Sequence, residues 1–415
     1  MEKKGKKRML PTPVLLGGDL NCYNIARAFH EEYGVTSYAL GRYVSAPTKY
    51  SRLINFQTVE KLDTDEVMFQ VLNDFKDKHK HENLILFACN DEYSDVFSRV
   101  KERLPEFIFP YPDENLRPVL SRKAEFYEIC DKYEVPHPKT YIANGKLMPT
   151  DLNQETLGFE YPIVIKPSSS IVYWQHPFDG MDKVFFAKDE IEAAGIINKI
   201  FDSGYDEKVV VQEVIAGSDA NMRVLTVFSD ASAKVRAMCL GNTMIEEHVP
   251  SAIGNHAAII TEKLTDFPQI ANIVEMLEDL HYTGFSNFDI KLREGTISDF
   301  SVFEINLRQG RSNYYATASG MNMARLATEV YNSCGSDIQF FEEPYFWHHV
   351  PKSIAYKYCE NSTLVKEAKK LESEGRITCS LDYPPDLKHN PKRRVVVWAQ
   401  MYRQYKKFKK YYPKR

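Results

Sequence analysis

Apolar residues in the first part of the chain alternate between two periodicities. Residues 13–18 and 84–88 are short apolar runs typical of buried strands. Each is followed by a segment, 21–33 or 91–100, whose apolar residues recur at helical spacing. Strands that alternate with helices predict a parallel α/β sheet across residues 10–115.

The rest of the chain is richer in strands than in helices. Prolines at 105, 110, 112 and 118 predict the edge of the first domain. The predicted strands are 140–143, 163–166, 183–187, 209–214, 224–228, 234–239, 257–260, 287–291 and 301–306. The predicted helices are 121–133 with Ser121 as its cap, 189–201, 267–280, 362–375 and 395–412. This mixture is typical of an α+β region rather than of a doubly wound sheet.

Charge is unevenly distributed along the chain. Of the 415 residues, 53 are Lys or Arg and 57 are Asp or Glu, a net charge of −4 that excludes a wholly basic nucleic-acid binder. Residues 391–415 contain ten Lys or Arg and no acid, which leaves a net charge of −14 on the rest. The sequence therefore predicts an acidic body with a basic tail.

Cysteine spacing and hydropathy indicate the compartment. The seven cysteines lie at least 20 residues apart, so no zinc-binding spacing occurs, and scattered thiols are typical of a cytosolic protein. No window approaches 18 apolar residues, and the stretch after the basic N-terminus is too short and proline-broken for a signal peptide. We therefore expect a cytoplasmic protein.

Two familiar nucleotide-binding signatures are missing. Gly17-Gly18-Asp19 does not match G-x-G-x-x-G and is better explained as a tight turn between a strand and a helix. No G-x-x-x-x-G-K-[ST] segment occurs, so a Walker P-loop is excluded.

Acidic and amide side chains near residue 300 form the strongest candidate site. Glu304 and Asn306 share one face of a predicted strand because side chains alternate with a period of two. If this strand pairs with its predecessor through Glu294-Gly295, Asp289 converges on Glu304. Such oxygens are the hard ligands that Mg²⁺ takes together with phosphates. The alternative interpretation is the solvated outer face of a hairpin.

Basic side chains accompany this segment. Arg308 and Arg311 follow it directly and suit anion binding, and Arg223 is a third candidate whose alternative role is a structural salt bridge. Lys166 ends an apolar strand, where a lysine can act as a point charge on phosphate, and Lys123 begins a helix. Both lysines also have an ordinary structural interpretation, since lysines end many strands and helices.

In this order and spacing, the segments over residues 120–325 resemble the ATP-grasp ligases. The resemblance implies a Rossmann-like (pre-ATP-grasp) α/β domain over 1–120, a central subdomain over 121–217, a C-terminal α+β subdomain with the metal site over 218–333, and a helical basic extension over 334–415. It also implies an ATP-dependent carbon–nitrogen ligase, with ATP held between the central and C-terminal subdomains.

The resemblance assigns roles to residues of this sequence by position. It implies that Lys123 and Lys166 hold ATP phosphates and that Asp289, Glu304 and Asn306 coordinate two Mg²⁺ ions. The residues implied at the adenosine are Glu213 or, one position earlier, Gln212, with the backbone around Ile215 and the side chain of Asp219. Arg308, Arg311 and Arg223 are the catalytic candidates for binding the developing oxyanion.

A narrower resemblance spans nearly the whole chain. Segments 16–29, 46–51, 221–225, 251–255 and 304–312 are similar to those of the peptidoglycan D-aspartate ligases. This resemblance implies that the β-carboxylate of D-aspartate is joined, with ATP and Mg²⁺, to the side-chain amine of lysine in a UDP-linked muramyl pentapeptide or a related precursor. No nucleic-acid partner is expected.

Other interpretations remain open on sequence alone. The chain is alternatively another ATP-dependent amino-acid or dipeptide ligase, a non-catalytic nucleotide-binding protein or, more distantly, a flavin or nicotinamide oxidoreductase. The basic, aromatic tail over 391–415 has two interpretations of its own. Its apolar residues pack on the acidic body, or its surface rests on the anionic inner face of the membrane.

Overall fold

The structure, a computed structural model, describes residues 10–413 except 251, 297, 334 and 336. The first of its three parts is the predicted parallel α/β domain. Its elements are β1 (Pro11–Leu16), α1 (Leu20–Tyr33), β2 (Ser37–Gly41), β3 (Ile54–Thr58), α2 (Asp65–Lys78), β4 (Asn83–Ala88) and α3 (Asp91–Val100). The strands are all parallel in the order β3-β2-β1-β4. Asp19 caps α1 by accepting the Cys22 N–H, which fixes the turn at the carboxyl end of β1.

Two short helices connect this domain to the next. They are α4 (Arg117–Ser121) and α5 (Lys123–Lys132). The predicted single helix over 121–133 with Ser121 as its cap is therefore wrong. Pro118 begins α4 earlier than expected, and Arg122, with an extended backbone (φ −85°, ψ 122°), separates the two helices and leads into α5.

The central part is a small antiparallel sheet covered by one longer helix. Its elements are β5 (Thr140–Ala143), α6 (Gln154–Leu157), β6 (Ile163–Pro167), α7 (Ser170–Tyr173), β7 (Phe185–Ala187), α8 (Glu190–Asp202) and β8 (Val209–Glu213). The strand order is β5-β8-β6-β7. Ala193, Ala194, Ile197 and Ile200 form the buried stripe of α8, at the spacing expected for a helix on a sheet.

The third part is the largest sheet, and most of its strand pairs are antiparallel. Its main elements are β9 (Met222–Ser229), β10 (Val235–Glu247), β11 (Asn255–Glu262), α9 (Ile270–Asp279), β12 (Gly284–Leu292), β13 (Phe300–Asn306), α10 (Tyr314–Ala318) and α11 (Met323–Arg325), followed by a π-helical turn at Leu326–Val330. The order is β13-β12-β9-β10-β11, and later strands extend it.

The C-terminal segment completes this sheet before it ends in a helix. Its elements are β14 (Gln339–Phe340), β15 (Phe346–His348), α12 (Lys352–Tyr358), α13 (Ser362–Ser373), β16 (Ile377–Cys379), α14 (Pro384–Leu387) and α15 (Pro391–Tyr411). β15 pairs with β11, β16 with β15, and β14 with β10. The extension predicted as helical over 334–415 contains the helices α12 to α15 and also three strands that were not predicted. Strands of two or three residues are too short to show periodicity.

The basic tail packs on the body along one face. Arg393 is fully buried, and its Nε donates to Asp386 Oδ2 at 2.8 Å. Val397 belongs to the same hydrophobic cluster as Tyr23 of α1 and Trp347 of β15. Some residues used in the sequence predictions lie outside the described residues. They are residues 1–9 of the basic N-terminus, Ser251 of the segment 251–255, and Lys414 and Arg415 of the tail. No helix among those described is both long and apolar enough to cross a membrane.

Candidate active site

The predicted hairpin forms and brings the three predicted metal ligands together. β12 and β13 pair with Asp289 opposite Glu304 and Asn287 opposite Asn306. Glu304 and Asn306 therefore share a face with Asp289 of the neighbouring strand. Asn306 Nδ2 donates to Asp289 Oδ2 at 3.3 Å. Asp289, Glu304 and Asn306 are called the carboxylate cluster below.

Two basic side chains from other elements cover the carboxylate cluster. Lys123 Nζ, from the start of α5, lies 3.3 Å from Glu304 Oε2 and lowers the pKa of that carboxyl to about 2. His256 Nε2, from β11, lies 3.3 Å from Asp289 Oδ1. Burial raises the pKa of Asp289. The cluster is thus enclosed by three structural elements and is not the solvated outer face of a hairpin.

The donor set of the carboxylate cluster fits a hard divalent cation. It offers two carboxylates and the Oδ1 atom of Asn306, which accepts no hydrogen bond from the described residues, and Mg²⁺ takes such oxygens. Across the described chain no group of three or more His, Cys, Asp or Glu side chains is placed to hold a metal ion. A cation at the carboxylate cluster would therefore bind the Asn306 amide oxygen as well as the two carboxylates, and would complete its coordination with phosphate oxygens of a bound nucleotide.

Lys166 lies in a buried polar network beside this cluster. Its Nζ donates to Gln212 Oε1 at 3.3 Å and lies 5.2 Å from the centre of the Phe303 ring. Burial, helped by the nearby charge of Lys123, lowers the pKa of Lys166 to about 8. Binding of an anion is favourable at this point, because the charges of Lys123, Lys166 and the nearby Lys183 exceed the single charge of Glu304.

Gln212 and Glu213, the two alternative residues for the adenosine role, have different partners. Gln212 points to Lys166, and its Nε2 donates to Thr140 Oγ1 at 2.8 Å. Glu213 points the other way, where its carboxylate accepts from Arg293 Nη2 at 2.7 Å and from the Lys139 N–H at 2.8 Å. The side chain that accompanies the predicted phosphate lysine is therefore Gln212. Ile215, two residues beyond β8, is buried.

Asp219 is hydrogen-bonded to groups that lie far from it in the sequence and that the sequence alone does not link to it. Its Oδ2 accepts from the Glu246 N–H at 2.9 Å, lies 3.0 Å from His248 Nε2 and accepts from the Tyr412 hydroxyl at 3.1 Å. Burial alone would raise the pKa of Asp219, but these hydrogen bonds lower it below its ordinary value. Tyr412 follows the last residue of α15, so the end of the tail touches the predicted adenosine ligand.

The three predicted arginines lie in different environments. Arg223 pairs with Glu262, and its Nη1 donates to the Ala220 carbonyl at 3.0 Å, which is the arrangement of a structural ion pair. Arg308 pairs through Nε with Asp91 Oδ1 at 2.8 Å and so joins the third sheet to the first domain. The third, Arg311, lies 3.4 Å from Glu247 Oε2, and its Nη1 makes no hydrogen bond.

Residues 308–313, called the arginine loop below, are fastened to the start of α1. Asn21 Nδ2 donates to the Gln309 carbonyl, and Asn24 Nδ2 donates to the Arg311 carbonyl, both at 3.2 Å. These buried amides were not identified from sequence, although polar residues within an apolar helical run are a usable signal. At Gly310 an added Cβ would lie 2.5 Å from Asn287 Oδ1, so the missing side chain makes room for the protein itself rather than for a ligand.

Three chemical features lie close together, because Gly310 of the arginine loop packs against Asn287, the partner of Asn306 in the hairpin. A hard-oxygen cluster lies beside two lysines, and arginines lie at the carboxyl ends of β1 and β4, the edge where open α/β sheets bind ligands. This set of charged groups suits a polyanion with a second, smaller anion beside it.

Comparison with known proteins bears on the family of this chain. No model of a protein family matches the sequence. The chain is 35% identical over 419 residues to the D-aspartate ligase of Enterococcus faecium (strain Aus0004), and the match covers 96% of each protein.

Two solved structures establish the fold. The L-amino acid ligase of Bacillus licheniformis has a TM-score of 0.53 at 12% identity, over 77% of this chain and 74% of that one. The biotin carboxylase domain of the 2-oxoglutarate carboxylase from Hydrogenobacter thermophilus has a TM-score of 0.59 at 12% identity, over 80% and 72%. The predicted ATP-grasp architecture is confirmed.

The chain belongs to the D-aspartate ligase family, whose members are ATP-dependent carbon–nitrogen ligases.

Proposed function

We propose that the chain joins the β-carboxylate of D-aspartate to the lysine side-chain amine of a peptidoglycan precursor, with ATP as the energy source. The observation that carries the proposal is the near full-length similarity to a D-aspartate ligase. The carboxylate cluster, beside Lys123 and Lys166, supplies the site at which an ATP-dependent reaction would occur. The acceptor we propose is a UDP-linked muramyl pentapeptide or a related precursor.

The first step activates the donor carboxylate. One of its oxygens attacks the γ-phosphorus of ATP, the bond from that phosphorus to the β–γ bridging oxygen breaks, and ADP leaves. Phosphoryl transfer of this kind needs positioning and charge neutralisation more than covalent help from the protein. We assign Lys123 and Lys166 to the phosphates, since both amines lie beside the carboxylate cluster.

The carboxylate cluster would hold magnesium. We assign Asp289, Glu304 and Asn306 as its ligands because their oxygens are of the preferred kind and lie on one face of the hairpin. When bound, Mg²⁺ neutralises charge on the phosphate oxygens. His256 contacts Asp289 and Lys123 contacts Glu304, and these contacts keep the two carboxylates in place.

The second step forms the amide. The acceptor amine attacks the carbonyl carbon of the acyl phosphate, the carbon–oxygen bond to phosphate breaks, and the nitrogen loses a proton. The tetrahedral oxyanion needs a fixed cation. We place Arg311 against the donor because its Nη1 has no hydrogen-bond partner, whereas the contacts of Arg308 position the arginine loop and those of Arg223 are structural. A guanidinium has five N–H donors, so Arg311 can hold a carboxylate of the donor and also face the developing oxyanion.

A related function is the second candidate. The similarity in fold to an L-amino acid ligase leaves open a different donor or acceptor amino acid. A non-catalytic nucleotide-binding protein is disfavoured, because such a protein does not need a complete set of hard-oxygen ligands beside two lysines.

A donor panel tests the proposal. The protein is incubated with ATP, Mg²⁺ and single D- and L-amino acids, with and without the UDP-linked precursor, and released phosphate is measured. We expect release with D-aspartate and the precursor to exceed release with L-aspartate by at least about 100-fold, a difference of about 2.7 kcal/mol. Equal rates for both enantiomers, or a faster reaction with another amino acid, would contradict D-aspartate as the donor.

We also propose that α15 rests on anionic membrane. Its buried residues lie on one face, while a second face is exposed and aromatic. Val395, Trp398, Tyr402, Tyr405 and Lys409 recur at spacings of three and four, so three of the five residues on this face are aromatic. Trp398 is 67% and Tyr402 50% exposed. These two rings stack with their centres 5.6 Å apart. Basic side chains flank them, an arrangement that suits the interface of an anionic bilayer.

Co-sedimentation with vesicles tests this contact. We expect the chain to sediment with phosphatidylglycerol-containing vesicles at physiological salt and to be released by high salt, because such attraction is screened. The double variant Trp398→Ala/Tyr402→Ala should bind about tenfold more weakly. Phe186→Ala, which removes an exposed ring of β7, is the matched control and should bind normally. If the intact chain stays in the supernatant with anionic vesicles, the tail has a structural role alone.

A further inference from the structure

Glu247 is a buried carboxylate whose acceptor capacity is unused. It ends β10 and is 2% exposed. Its two charged or polar neighbours lie at 3.4 Å (Arg311 Nη1) and 3.7 Å (His349 Nε2), beyond good hydrogen-bond distances. No group among the described residues donates a hydrogen bond to it. Arg311 balances its charge, but a buried carboxylate that accepts no hydrogen bond is unusual, and a ligand with N–H groups would complete its contacts.

His349 is the second buried group at this point without a hydrogen-bond partner for its side chain. It is 1% exposed, and neither ring nitrogen makes a hydrogen bond to the described residues. Burial, together with the charge of Arg311, holds the pKa of His349 well below its ordinary range, so the ring is neutral. A neutral imidazole has one N–H, which can orient a carboxylate without cancelling its charge.

Glu247 lies where a small ligand would reach both the arginine loop and the carboxylate cluster. Its neighbour Glu246 has a carboxylate oxygen 3.4 Å from His256 Nδ1, and His256 contacts Asp289 of the carboxylate cluster. Glu247 itself lies beside Arg311, five residues after Asn306 on the chain. Gly310, next to Arg311, packs against Asn287, which pairs with Asn306 of the carboxylate cluster. A donor with one carboxylate at that cluster would therefore have the rest of its body near Arg311 and Glu247.

We propose that Glu247 binds the α-ammonium group of the donor amino acid and that His349 orients Glu247 for this contact. The inference rests on the proposed function and deepens it. An amino acid held by its ammonium at Glu247 and its α-carboxylate at Arg311 presents only its side-chain carboxylate for phosphorylation. Glu247 and Arg311 thus give a physical reason for reaction at the β-carboxylate, because they occupy the α-ammonium and the α-carboxylate of the donor.

Substrate analogues separate this role from a structural one. The Glu247→Gln variant keeps the shape of the side chain and removes its charge. The kinetics of phosphate release are measured with D-aspartate and with succinate, which is the same molecule without the ammonium group. For the unaltered protein we expect kcat/KM to favour D-aspartate strongly. In Glu247→Gln that preference should fall by about 10- to 100-fold, the range for losing a hydrogen bond between charged groups, while KM for ATP stays within about twofold.

Two further variants make the result decisive. His349→Gln should lower the same preference by a smaller factor, because it acts through Glu247. Asp230→Asn is the matched control: Asp230 is a buried carboxylate paired with Arg236 at 2.6 Å, just before β10 begins and therefore at the far end of that strand. It should lower the melting temperature and leave the preference unchanged.

The outcomes distinguish the two proposals. If Glu247→Gln retains the full preference for D-aspartate over succinate, or lowers both rates equally, the ammonium assignment is wrong while the proposed function stands. If the donor panel identifies a different amino acid, the comparison is made with that amino acid and its deamino analogue. A fall in preference there supports Glu247 even though D-aspartate was the wrong donor. If no amino acid supports phosphate release, both proposals fail.

Discussion

Glu304→Ala should abolish ligation while leaving the protein folded. The change removes one hard-oxygen ligand and the carboxylate that faces Lys123, and it removes little core volume because the side chain is partly exposed. We expect turnover to fall by at least about 10²- to 10³-fold, the range for losing one preorganised electrostatic group in an active site. The assay is phosphate release with D-aspartate and precursor at saturating Mg²⁺, accompanied by a thermal melt.

A carboxylate of the same hairpin provides the control for Glu304. Asp299 lies just before β13 and its Oδ1 is 3.7 Å from Arg293 Nε, outside the carboxylate cluster. Asp299→Ala should keep near-normal turnover. Near-normal turnover in Glu304→Ala itself would show that the cation and phosphates bind elsewhere.

Arg311→Lys should reduce turnover by about 100-fold although it preserves the charge. Lysine lacks the planar fork that binds a carboxylate or an oxyanion through two N–H groups, and its ammonium is a point charge. The backbone of residue 311 remains held by Asn24, so the loop keeps its course and the loss reports on the side chain. The measurement is kcat/KM for the donor at fixed, saturating ATP.

A surface arginine gives the matched control for this change. Arg99 pairs with Asp65 at 2.7 Å on an exposed face of the first domain. Arg99→Lys should have the activity of the unaltered protein, because exposed ion pairs contribute little to stability. If Arg311→Lys is as active as Arg99→Lys, Arg311 is an ordinary surface charge and not a donor ligand.

Local periodicity was sufficient to predict how the three residues of the carboxylate cluster come together. The alternation in β13 places Glu304 and Asn306 on one face, and the single turn between two adjacent strands brings Asp289 opposite Glu304. The hairpin prediction is confirmed by this register. The order of strands and helices in the first domain was readable for the same reason, since each element is long enough to show its period.

Contacts between distant parts of the chain could not be predicted from the sequence. Asp219 and Tyr412 are 193 residues apart, and the pairs of Asn21 with Gln309 span 288 residues. Alternation tells which face a side chain occupies, but not which remote element covers that face. The same limit applies to Arg223, whose partner Glu262 lies on another strand, and to residues 212–213, where only the fold shows that Gln212 faces Lys166.

Transfer of isotope from donor to phosphate tests the central claim most directly. D-Aspartate labelled with ¹⁸O in its β-carboxylate is converted with ATP, Mg²⁺ and precursor, and the phosphate released is analysed by mass spectrometry. An acyl phosphate intermediate requires that one labelled oxygen moves to each phosphate, and ADP should carry none. Phosphate without label, or label transferred only when the α-carboxylate carries it, would contradict ligation through the β-carboxylate.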